Sequence, residues 1–348
     1  MSRKTVSVGS VLIGGEKIPV QSMLCTDSHD ASACLKQIRE LAEAGCDLVR
    51  MALPDFEAVA PFAKICEQSP LPVVADIHFD YRLALEAAAA GAAKIRINPG
   101  NIGGPDRVRE VAKACRAAGI PIRVGVNGGS LEKDLLAEKG LCAEALCESA
   151  LRGVRMLEAC DFDDLVVSIK SSSVALTVQA NRLLHERCPY PLHIGVTEAG
   201  TPSSGIIKSS AGIGALLVDG IGDTIRVSLT ADPVEEVYAA RKLLRALDLC
   251  PEGARLVSCP TCGRTRVDLF SLCEKVERLL ESVHEPITVA VMGCAVNGPG
   301  EAREADVGLA GGDGEYLLFR KGEIVRKVSP EEALNALREE IKKVQEKI

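Results

Sequence analysis

Three cysteines near the carboxyl end of the sequence are spaced as in a metal-binding site. Cys259 and Cys262 form a Cys-x-x-Cys pair, which lets two thiolates bind one metal centre. The pair alone is compatible with zinc, a redox disulfide or an iron–sulfur cluster, and on its own it favours zinc. Cys294 ends an apolar run and opens a loop rich in turn-forming residues, so a third thiol is available.

The fourth ligand separates these alternatives. A closed zinc site needs four Cys or His ligands, but no second Cys-x-x-Cys pair follows. The spare candidates Cys250, Cys273 and His284 stand at no recognised spacing. Three cysteines and one oxygen ligand suit a cubane iron–sulfur cluster with one chemically distinct iron. Glu301 is the obvious oxygen, and the alternative is that it is an ordinary solvated acid.

A second group of reactive residues lies at the ends of predicted strands. Parallel strands covered on both faces are normally apolar, so charges inside them need an explanation. The cations are Arg50, Arg96, Arg123, Lys170 and Arg226, and the acids are Asp76 and Glu198. Internal salt bridges explain any single arginine, but the whole set keeps a positive excess that an anionic ligand would neutralise.

Neutral polar residues share strand faces with these cations, because residues two or four apart in a strand point to the same side. They are Asn98 with Arg96, Asn127 with Arg123, and Ser228 with Arg226. Guanidinium groups bind phosphate oxygens through paired hydrogen bonds. The sequence therefore predicts a site for a phosphorylated small molecule.

The elements that carry these residues repeat eight times between Pro19 and Leu247. Each repeat has a short β-branched run, a polar or glycine-containing turn and a segment of helical period. The predicted strands are Val20–Met23, Asp47–Leu53, Val73–His78, Lys94–Asn98, Ile122–Asn127, Leu165–Lys170, His193–Glu198 and Thr224–Leu229. Predicted helices include Ser32–Ala44, Phe56–Gln68, Asp106–Ala118 and Asp232–Ala246. Eight alternations over roughly 230 residues are typical of an α/β (β/α)₈ TIM barrel, with a doubly wound sheet as second choice.

A second domain is predicted after this repeat, because the alternation stops and Asp248–Gly253 is typical of a linker. The predicted strands are Arg255–Ser258, Ile287–Met292 and Asp306–Ala310, with a hairpin over Tyr316–Val328 and helices over Val267–Val283 and Glu331–Lys347. We thus expect a substrate-binding barrel over residues 1–247 and an α+β cluster domain over residues 248–348.

Composition narrows the class of protein. The chain has 348 residues, of which 47% are hydrophobic, so it can bury a large core. A net charge of -7 and 3% aromatic residues with no Trp argue against a nucleic-acid-binding protein. Fourteen cysteines without a signal-like start predict a reducing cytoplasm, and no run of about eighteen apolar residues predicts a membrane span.

Long motifs surround both groups of residues. They include Ala75-Asp76-Ile77-His78-Phe79, Arg96-Ile97-Asn98-Pro99-Gly100-Asn101, Ser168-Ile169-Lys170, His193-Ile194-Gly195-Val196-Thr197-Glu198, Ser258-Cys259-Pro260-Thr261-Cys262 and Met292-Gly293-Cys294 through Glu301. Over nearly the whole chain the sequence resembles the 4-hydroxy-3-methylbut-2-enyl diphosphate synthase family of the non-mevalonate isoprenoid pathway, in its two-domain bacterial form.

The resemblance implies a reductive reaction at a [4Fe–4S] cluster. The cluster would be held by residues matching Cys259, Cys262, Cys294 and Glu301, and would deliver two electrons to 2-C-methyl-D-erythritol 2,4-cyclodiphosphate. The ring opens and water leaves. The resemblance also implies reduced flavodoxin or ferredoxin as electron donor and a head-to-tail homodimer that shares its sites.

Roles for the barrel residues follow from the same resemblance. The expected substrate-binding residues are Arg50, Arg96, Asn98, Arg123, Asn127, Lys170, Thr197, Arg226 and Ser228. Glu198 is the candidate proton donor, because loss of a hydroxyl as water needs an acid. Asp76 is expected to orient a substrate hydroxyl or an arginine, and His193 either serves in catalysis or packs in the core.

Two other hypotheses are compatible with parts of the sequence. One is a barrel enzyme stapled by zinc that acts on a phosphate ester without redox chemistry, such as an aldolase or a pterin-type transferase. The other makes the carboxyl-terminal domain a redox sensor or an electron-carrier docking module, with the barrel as scaffold. Iron and sulfide content separates the first from an iron–sulfur enzyme, and substitution of Arg96 or Arg123 tests the second.

Overall fold

The computed structural model describes residues 4–98, 100–250, 252–283, 285–294 and 302–347. The chain divides into two compact units, Met1–Leu249 and Cys250–Ile348. Each unit buries its own hydrophobic core.

The first unit begins with a short hairpin that the sequence pattern did not predict. Strands β1 (Val6–Val8) and β2 (Val11–Ile13) pair antiparallel across a turn at Gly9, whose φ of 57° favours glycine. The buried side chains of this hairpin pack against Leu48 and Val166. Both of these residues stand at the start of a barrel strand, so the hairpin covers the amino-terminal end of the barrel.

Eight parallel strands follow, and all eight predicted strands are present, two with the predicted bounds and six with shorter ends. They are β3 (Gln21–Met23), β4 (Leu48–Ala52), β5 (Val73–Asp76), β6 (Lys94–Ile97), β7 (Ile122–Asn127), β8 (Leu165–Lys170), β9 (His193–Ile194) and β10 (Thr224–Ile225). Strands β3 to β8 form one parallel sheet in sequence order, and β9 pairs with β10. Single parallel bridges, Val167 to Leu192 and Val20 to Ile225, join the two sheets at both edges. The strands therefore close into a ring, as a TIM barrel requires.

A helix follows each barrel strand. These helices are α1 (Ala31–Glu43), α2 (Val59–Gln68), α3 (Tyr81–Ala89), α4 (Pro105–Ala118), α6 (Ala143–Glu158), α7 (Val174–Arg187), α8 (Pro202–Val218) and α9 (Pro233–Ala246), with the extra helix α5 (Lys133–Lys139) before α6. Asp232 caps α9, since its carboxylate accepts the backbone N–H of Val234, and Pro233 occupies the first turn as predicted. The local sequence thus determines that α9 begins at Pro233.

The second unit is a five-stranded mixed sheet with two helices. Its elements are β11 (Arg255–Ser258), α10 (Leu269–Leu280), β12 (Thr288–Met292), β13 (Val307–Gly311), β14 (Tyr316–Arg320), β15 (Glu323–Val328) and α11 (Ala333–Gln345). Strands β11, β12 and β13 are parallel, and β14 and β15 continue the sheet antiparallel. The predicted strands and both helices are confirmed in position. Helix α11 begins at Ala333, two residues later than predicted, after a turn in which Ser329 Oγ accepts the backbone N–H of Glu332.

Within the described residues, every helix is too short or too polar to cross a membrane.

Candidate active site

A polar cavity of about 170 Å³ lies at the carboxyl-terminal ends of the barrel strands. It is lined by Met23, Arg50, Asp76, His78, Arg96, Arg123, Asn127, Ser168, Lys170, Thr197, Arg226 and Ser228. Nine of these are residues that the sequence nominated. This end of a barrel is where such folds bind substrates.

Strand register explains why these side chains meet. In the parallel pairing, Asp76 stands beside Arg96, Arg96 beside Arg123, and Asn127 beside Lys170. Residues at one level of neighbouring parallel strands point to the same face, here the inside of the ring. The predicted common faces therefore open into one cavity.

Asp76 is the acid at the centre of the cation group. Its carboxylate lies 3.1 Å from Arg96 Nη1, 3.5 Å from Arg50 Nε and 3.7 Å from His78 Nε2. Burial alone would raise the pKa of Asp76, but Arg50, Arg96 and Arg123 together lower it. Asp76 is therefore ionised and orients two guanidinium groups.

A second acid, Glu236 on α9, was not recognised from the sequence. Its carboxylate accepts hydrogen bonds from Arg226 Nε at 3.2 Å, from Arg226 Nη2 at 3.3 Å and from the backbone N–H of Leu229 at 2.9 Å. Glu236 is 4% exposed and lies on the buried stripe of α9 beside Val237 and Ala240. A charge on the apolar face of a helix was the signal that could have identified it.

The site therefore keeps the predicted excess of positive charge, but one of its two acids is not the predicted one. The sequence set the five cations against Asp76 and Glu198, whereas the structure pairs Arg50 and Arg96 with Asp76, pairs Arg226 with Glu236 and leaves Glu198 exposed. Asp76 is the only acid among the described residues that line the cavity.

The excess of cations contributes to lowered pKa values at three of these groups. Burial, followed by the charges of Arg50 and Arg123, lowers the pKa of Lys170 well below its usual value. Burial likewise lowers the pKa of Arg123, and it lowers that of Arg50 to about 10 although Asp76 partly offsets it. The protonated forms of these groups are destabilised by one another, so an anion in the cavity would stabilise them.

Two glycines make room for the cations. A Cβ on Gly125 would lie 2.5 Å from Arg96 Nε, and a Cβ on Gly195 would lie 3.0 Å from Lys170 Nζ. Neither glycine has a positive φ, so close approach rather than backbone strain accounts for both. Glycine inside a predicted strand was the sequence signal for this packing.

Three nominated residues do not line the cavity. Asn98 donates from Nδ2 to Ser130 Oγ at 3.1 Å and accepts the N–H of Gly100, so it shapes the loop after β6. His193 is fully buried. Glu198 follows Thr197 with an exposed side chain and a φ of 54°.

Three lining residues carried no role in the sequence interpretation. His78 and Ser168 lay inside quoted motifs without an assignment. Met23 was overlooked as an apolar strand residue, yet its sulfur accepts hydrogen bonds from Arg50 Nη2 at 2.8 Å and from Arg226 Nη1 at 3.5 Å. Its thioether thus contacts two of the cations.

The predicted thiol ligands lie at the carboxyl ends of β11 and β12 in the second unit. These strands are parallel neighbours, and the N–H of Gly293 donates to Cys259 Sγ at 3.2 Å, so the ends carrying Cys259 and Cys294 adjoin. Cys262 is exposed, and hydrogen bonds from the backbone and side chain of Arg264 lower the pKa of its thiol. Glu301 lies outside the described residues. Among those described, no three His, Cys, Asp or Glu side chains are grouped to hold a metal ion.

The donor chemistry of the three thiols fits an iron–sulfur cluster. Such clusters are held by thiolates, and a lowered thiol pKa favours the thiolate form. Cys259 and Cys294 are both partly buried, and Cys259 packs against the hydrophobic clusters of the second unit.

Comparison with known proteins assigns the chain to a family. Residues 3–241 match the model described as the GcpE TIM-barrel domain, and residues 255–343 match the GcpE protein C-terminal domain. The chain is 56% identical to a 4-hydroxy-3-methylbut-2-en-1-yl diphosphate synthase (flavodoxin) of Ruminiclostridium cellulolyticum, over 97% of this chain and 96% of that protein. A Geobacter sulfurreducens protein of the same name is 55% identical over 99% of both chains.

The chain belongs to the 4-hydroxy-3-methylbut-2-enyl diphosphate synthase family.

Membership of this synthase family confirms the resemblance on which the sequence interpretation relied, and with it the oxidoreductase class. It also confirms the TIM barrel as fold of the first unit.

Solved structures agree on the fold alone. A dihydropteroate synthase of Xanthomonas albilineans matches with a TM-score of 0.50 at 16% identity, over 71% of this chain and 98% of that one. A 3-dehydroquinate dehydratase of Geobacillus kaustophilus matches with a TM-score of 0.51 at 14% identity, over 71% and 97%.

Proposed function

We propose that the chain converts 2-C-methyl-D-erythritol 2,4-cyclodiphosphate to 4-hydroxy-3-methylbut-2-enyl diphosphate, by reductive ring opening and loss of water. The observation that carries this proposal is the cavity at the barrel mouth, where five cations face two acids and where burial and the neighbouring cations lower the pKa values of Arg50, Arg123 and Lys170. A cyclic diphosphate supplies the missing negative charge. The names of the relatives support the same product.

The barrel binds and orients the substrate. Arg50, Arg96, Arg123, Lys170 and Arg226 are the proposed phosphoryl ligands, because guanidinium and ammonium groups form charge-assisted hydrogen bonds with phosphate oxygens. Asp76 and Glu236 hold three of the four arginines of the site by ion pairs. The site is therefore preorganised, and the substrate does not have to order the arginines itself.

Neutral groups complete the proposed substrate contacts. Asn127, Ser168, Thr197 and Ser228 line the cavity without charge, and their amide or hydroxyl groups can bind the carbon skeleton's hydroxyls. Binding of the anion also favours the protonated form of Lys170, because the negative charge offsets the burial and the cation repulsion that lower the pKa of this lysine.

Glu198 is the proposed proton donor for the departing hydroxyl. It directly follows the cavity residue Thr197, and its positive φ places it in a backbone conformation that few non-glycine residues adopt. Backbone strain of this kind clusters at functional sites. In the proposed reaction the proton adds to the hydroxyl oxygen as the carbon–oxygen bond breaks and water leaves.

The proposed cofactor is a [4Fe–4S] cluster held by Cys259, Cys262, Cys294 and Glu301. When bound, such a cluster would supply the two electrons of the reaction one at a time, together with Lewis acidity toward a substrate oxygen. We propose reduced flavodoxin as the electron donor, with ferredoxin as the alternative, and we place the protein in the cytoplasm.

We also propose that the substrate-binding domain ends near residue 247 and that a head-to-tail homodimer pairs the barrel of one chain with the cluster domain of the other. Turnover per chain should then fall on dilution as dimers dissociate. Unchanged turnover in a demonstrated monomer would contradict this arrangement.

Anaerobic purification tests the proposed function. We expect about four irons and four sulfides per chain, as the proposed cluster formula requires, and turnover of the cyclic diphosphate with a chemical reductant. Zinc in place of iron would favour a non-redox barrel enzyme. An intact cluster without turnover of the diphosphate would contradict the proposed substrate.

A further inference from the structure

Beneath the cavity the barrel interior holds a second polar layer that no role above uses. Lys94 stands two residues before Arg96 on β6, and Gln21 stands two residues before Met23 on β3. His193 stands two residues before Gly195, whose Cβ would face Lys170 inside the ring. Alternation along each strand places all three on the inward face, one level deeper than the cavity. We call Gln21, Lys94 and His193 the interior floor.

The polar atoms of the interior floor are fully buried and unpaired. Lys94 and His193 are 0% exposed, and Gln21 and Arg123 are 1% exposed. In the part of the chain that the structure describes, Lys94 Nζ, both ring nitrogens of His193, Gln21 Nε2 and Arg123 Nε have no hydrogen-bond partner. A buried donor without an acceptor costs about 1–3 kcal/mol, so several such atoms in one layer require a common explanation.

The atoms divide into donors and possible acceptors. Arg123 Nε and Gln21 Nε2 can only donate. Lys94 and His193 have an acceptor lone pair only in their uncharged forms. The supply of acceptors in this layer therefore depends on the charge of these two residues.

Burial and the surrounding cations favour the uncharged forms of both residues. Burial, followed by Arg123 and Arg50, lowers the pKa of Lys94 well below its usual value. Burial, followed by Lys170, Arg123, Lys94 and Arg50, lowers the pKa of His193. No acid appears among the described groups that act on either residue, since Asp76 and Glu236 pair with arginines of the cavity above.

Arg123 connects the floor to the cavity. Its side chain lines the cavity, and its Nη1 lies 3.4 Å from Gln21 Oε1. Unlike Arg50, Arg96 and Arg226, it has no ion-pair partner within 4 Å among the described residues. Among the described residues, the side-chain hydrogen bond of Arg123 is therefore made to the floor residue Gln21.

We propose that Lys94 and His193 are positioning residues which, through enclosed water, accept hydrogen bonds from Arg123 and hold its guanidinium ready for the anionic substrate. An enclosed water molecule needs two to four polar partners, which the floor provides. The proposal rests on the proposed function for the identity of the substrate. Its distinguishing consequence is that Lys94 acts by hydrogen bonding and not by charge.

Steady-state kinetics of the full-length, cluster-loaded protein test this inference. Lys94→Met keeps the length of the side chain but removes its polar end, so we expect KM for the cyclic diphosphate to rise about tenfold, equivalent to about 1.4 kcal/mol, with kcat within about twofold. Lys94→Gln restores hydrogen bonding without charge, and we expect its KM to stay within about threefold of the unaltered protein. Lys64→Met, on the exposed face of α2, is the matched control and should change neither constant.

Two results would overturn the inference. Equal KM values for Lys94→Met and the unaltered protein would show that the floor does not position Arg123. Equal impairment of Lys94→Met and Lys94→Gln would show that charge matters instead. If Lys94→Met does not fold, His193→Phe against His193→Gln makes the same comparison.

A binding measurement separates this inference from the proposed function. Calorimetry with inorganic pyrophosphate reports on Arg123 without turnover, and Lys94→Met should weaken this binding by the same factor as it raises KM. If the unaltered protein fails to turn over the cyclic diphosphate, the proposed function is wrong while the pyrophosphate comparison still decides the role of the floor.

Discussion

The two groups of reactive side chains in this protein are built in opposite ways. In the barrel, the functional cations point inward from buried strands, and most are fixed by Asp76 or Glu236. In the second unit, the thiols of Cys259, Cys262 and Cys294 stand at or just beyond strand ends, and Cys262 is exposed. The barrel site is thus shaped by the fold before any ligand arrives, whereas the thiol site would depend on the proposed cluster for a fixed geometry. Substitutions in one site should leave the other intact.

The largest effect is expected at the thiol site. Cys262→Ser should abolish turnover, because an iron of the proposed cluster loses its thiolate, while inorganic pyrophosphate should bind to the barrel as before. Iron analysis and calorimetry measure the two effects on one preparation. Cys142→Ser, at the start of α6, is the matched control and should keep both properties. A Cys262→Ser protein with full iron content and turnover would remove the thiol from the proposed ligand set.

The next largest effect is expected for Asp76→Asn. Removal of one partner from a buried ion pair costs about 3 kcal/mol or more, which corresponds to a decrease of about 6–12 °C in the unfolding midpoint of the barrel. Asp106→Asn, which breaks a surface pair with Arg109, should change the midpoint by less than about 2 °C.

The pH dependence of this difference has a defined sign. Because the folded protein lowers the pKa of Asp76, the stabilisation is present above the usual carboxyl pKa and is lost as the pH falls through the lowered value. The gap between the unaltered protein and Asp76→Asn should therefore close in acid. A gap that is constant across pH would show that the carboxylate charge is not what stabilises the site.

A smaller effect is expected from Lys170. Its pKa is lowered in the free protein and should rise when an anion binds, so binding takes up protons and weakens as the pH rises through the free value. Calorimetry of pyrophosphate binding in two buffers with different protonation enthalpies measures the uptake. Lys170→Met should reduce the uptake and weaken binding by about 1.5–3 kcal/mol, the contribution of a charge-assisted hydrogen bond. Equal proton uptake with and without Lys170 would assign the titration to another group.

The smallest effect is expected at Gly125, where an added Cβ would displace the guanidinium of Arg96. Gly125→Ala should weaken pyrophosphate binding by about 1 kcal/mol, roughly fivefold, and leave the iron content unchanged. Gly129→Ala is the matched control, because nothing lies within 4 Å of its added Cβ. Equal binding by the two variants would mean that Arg96 adapts freely.

The sequence predicted the barrel well because its signals are local. Each strand is a short apolar run between turn residues, and Asp232 with Pro233 marks the start of α9 on local chemistry alone. The hairpin Val6–Ile13 escaped prediction because it stands outside the repeat and becomes a structural element only by packing on Leu48 and Val166. Contacts of this kind join residues that are far apart in the sequence, so no periodic pattern predicts them.

The site was predicted in its cations but not in all of its partners. Arginines inside apolar strands are conspicuous, and nine nominated residues line the cavity. Glu236 was missed because helices usually carry glutamates on exposed faces, and only the position of this one on a buried stripe sets it apart. Lys94 was overlooked as the first residue of a strand, where a lysine normally reaches solvent. In both cases tertiary packing, and not the local sequence, decides whether the charge is buried.

The hairpin at the amino-terminal end of the barrel affects the route by which reactant and product reach and leave the cavity. Its valines and isoleucine pack against Leu48 and Val166 and so cover strand starts at the end of the ring opposite the cavity, which leaves the mouth as the entrance that the described residues show. Reactant, product and released water must all use one passage in turn. Departure of product then precedes entry of the next reactant, and product added from outside should compete with reactant for the same free form of the protein.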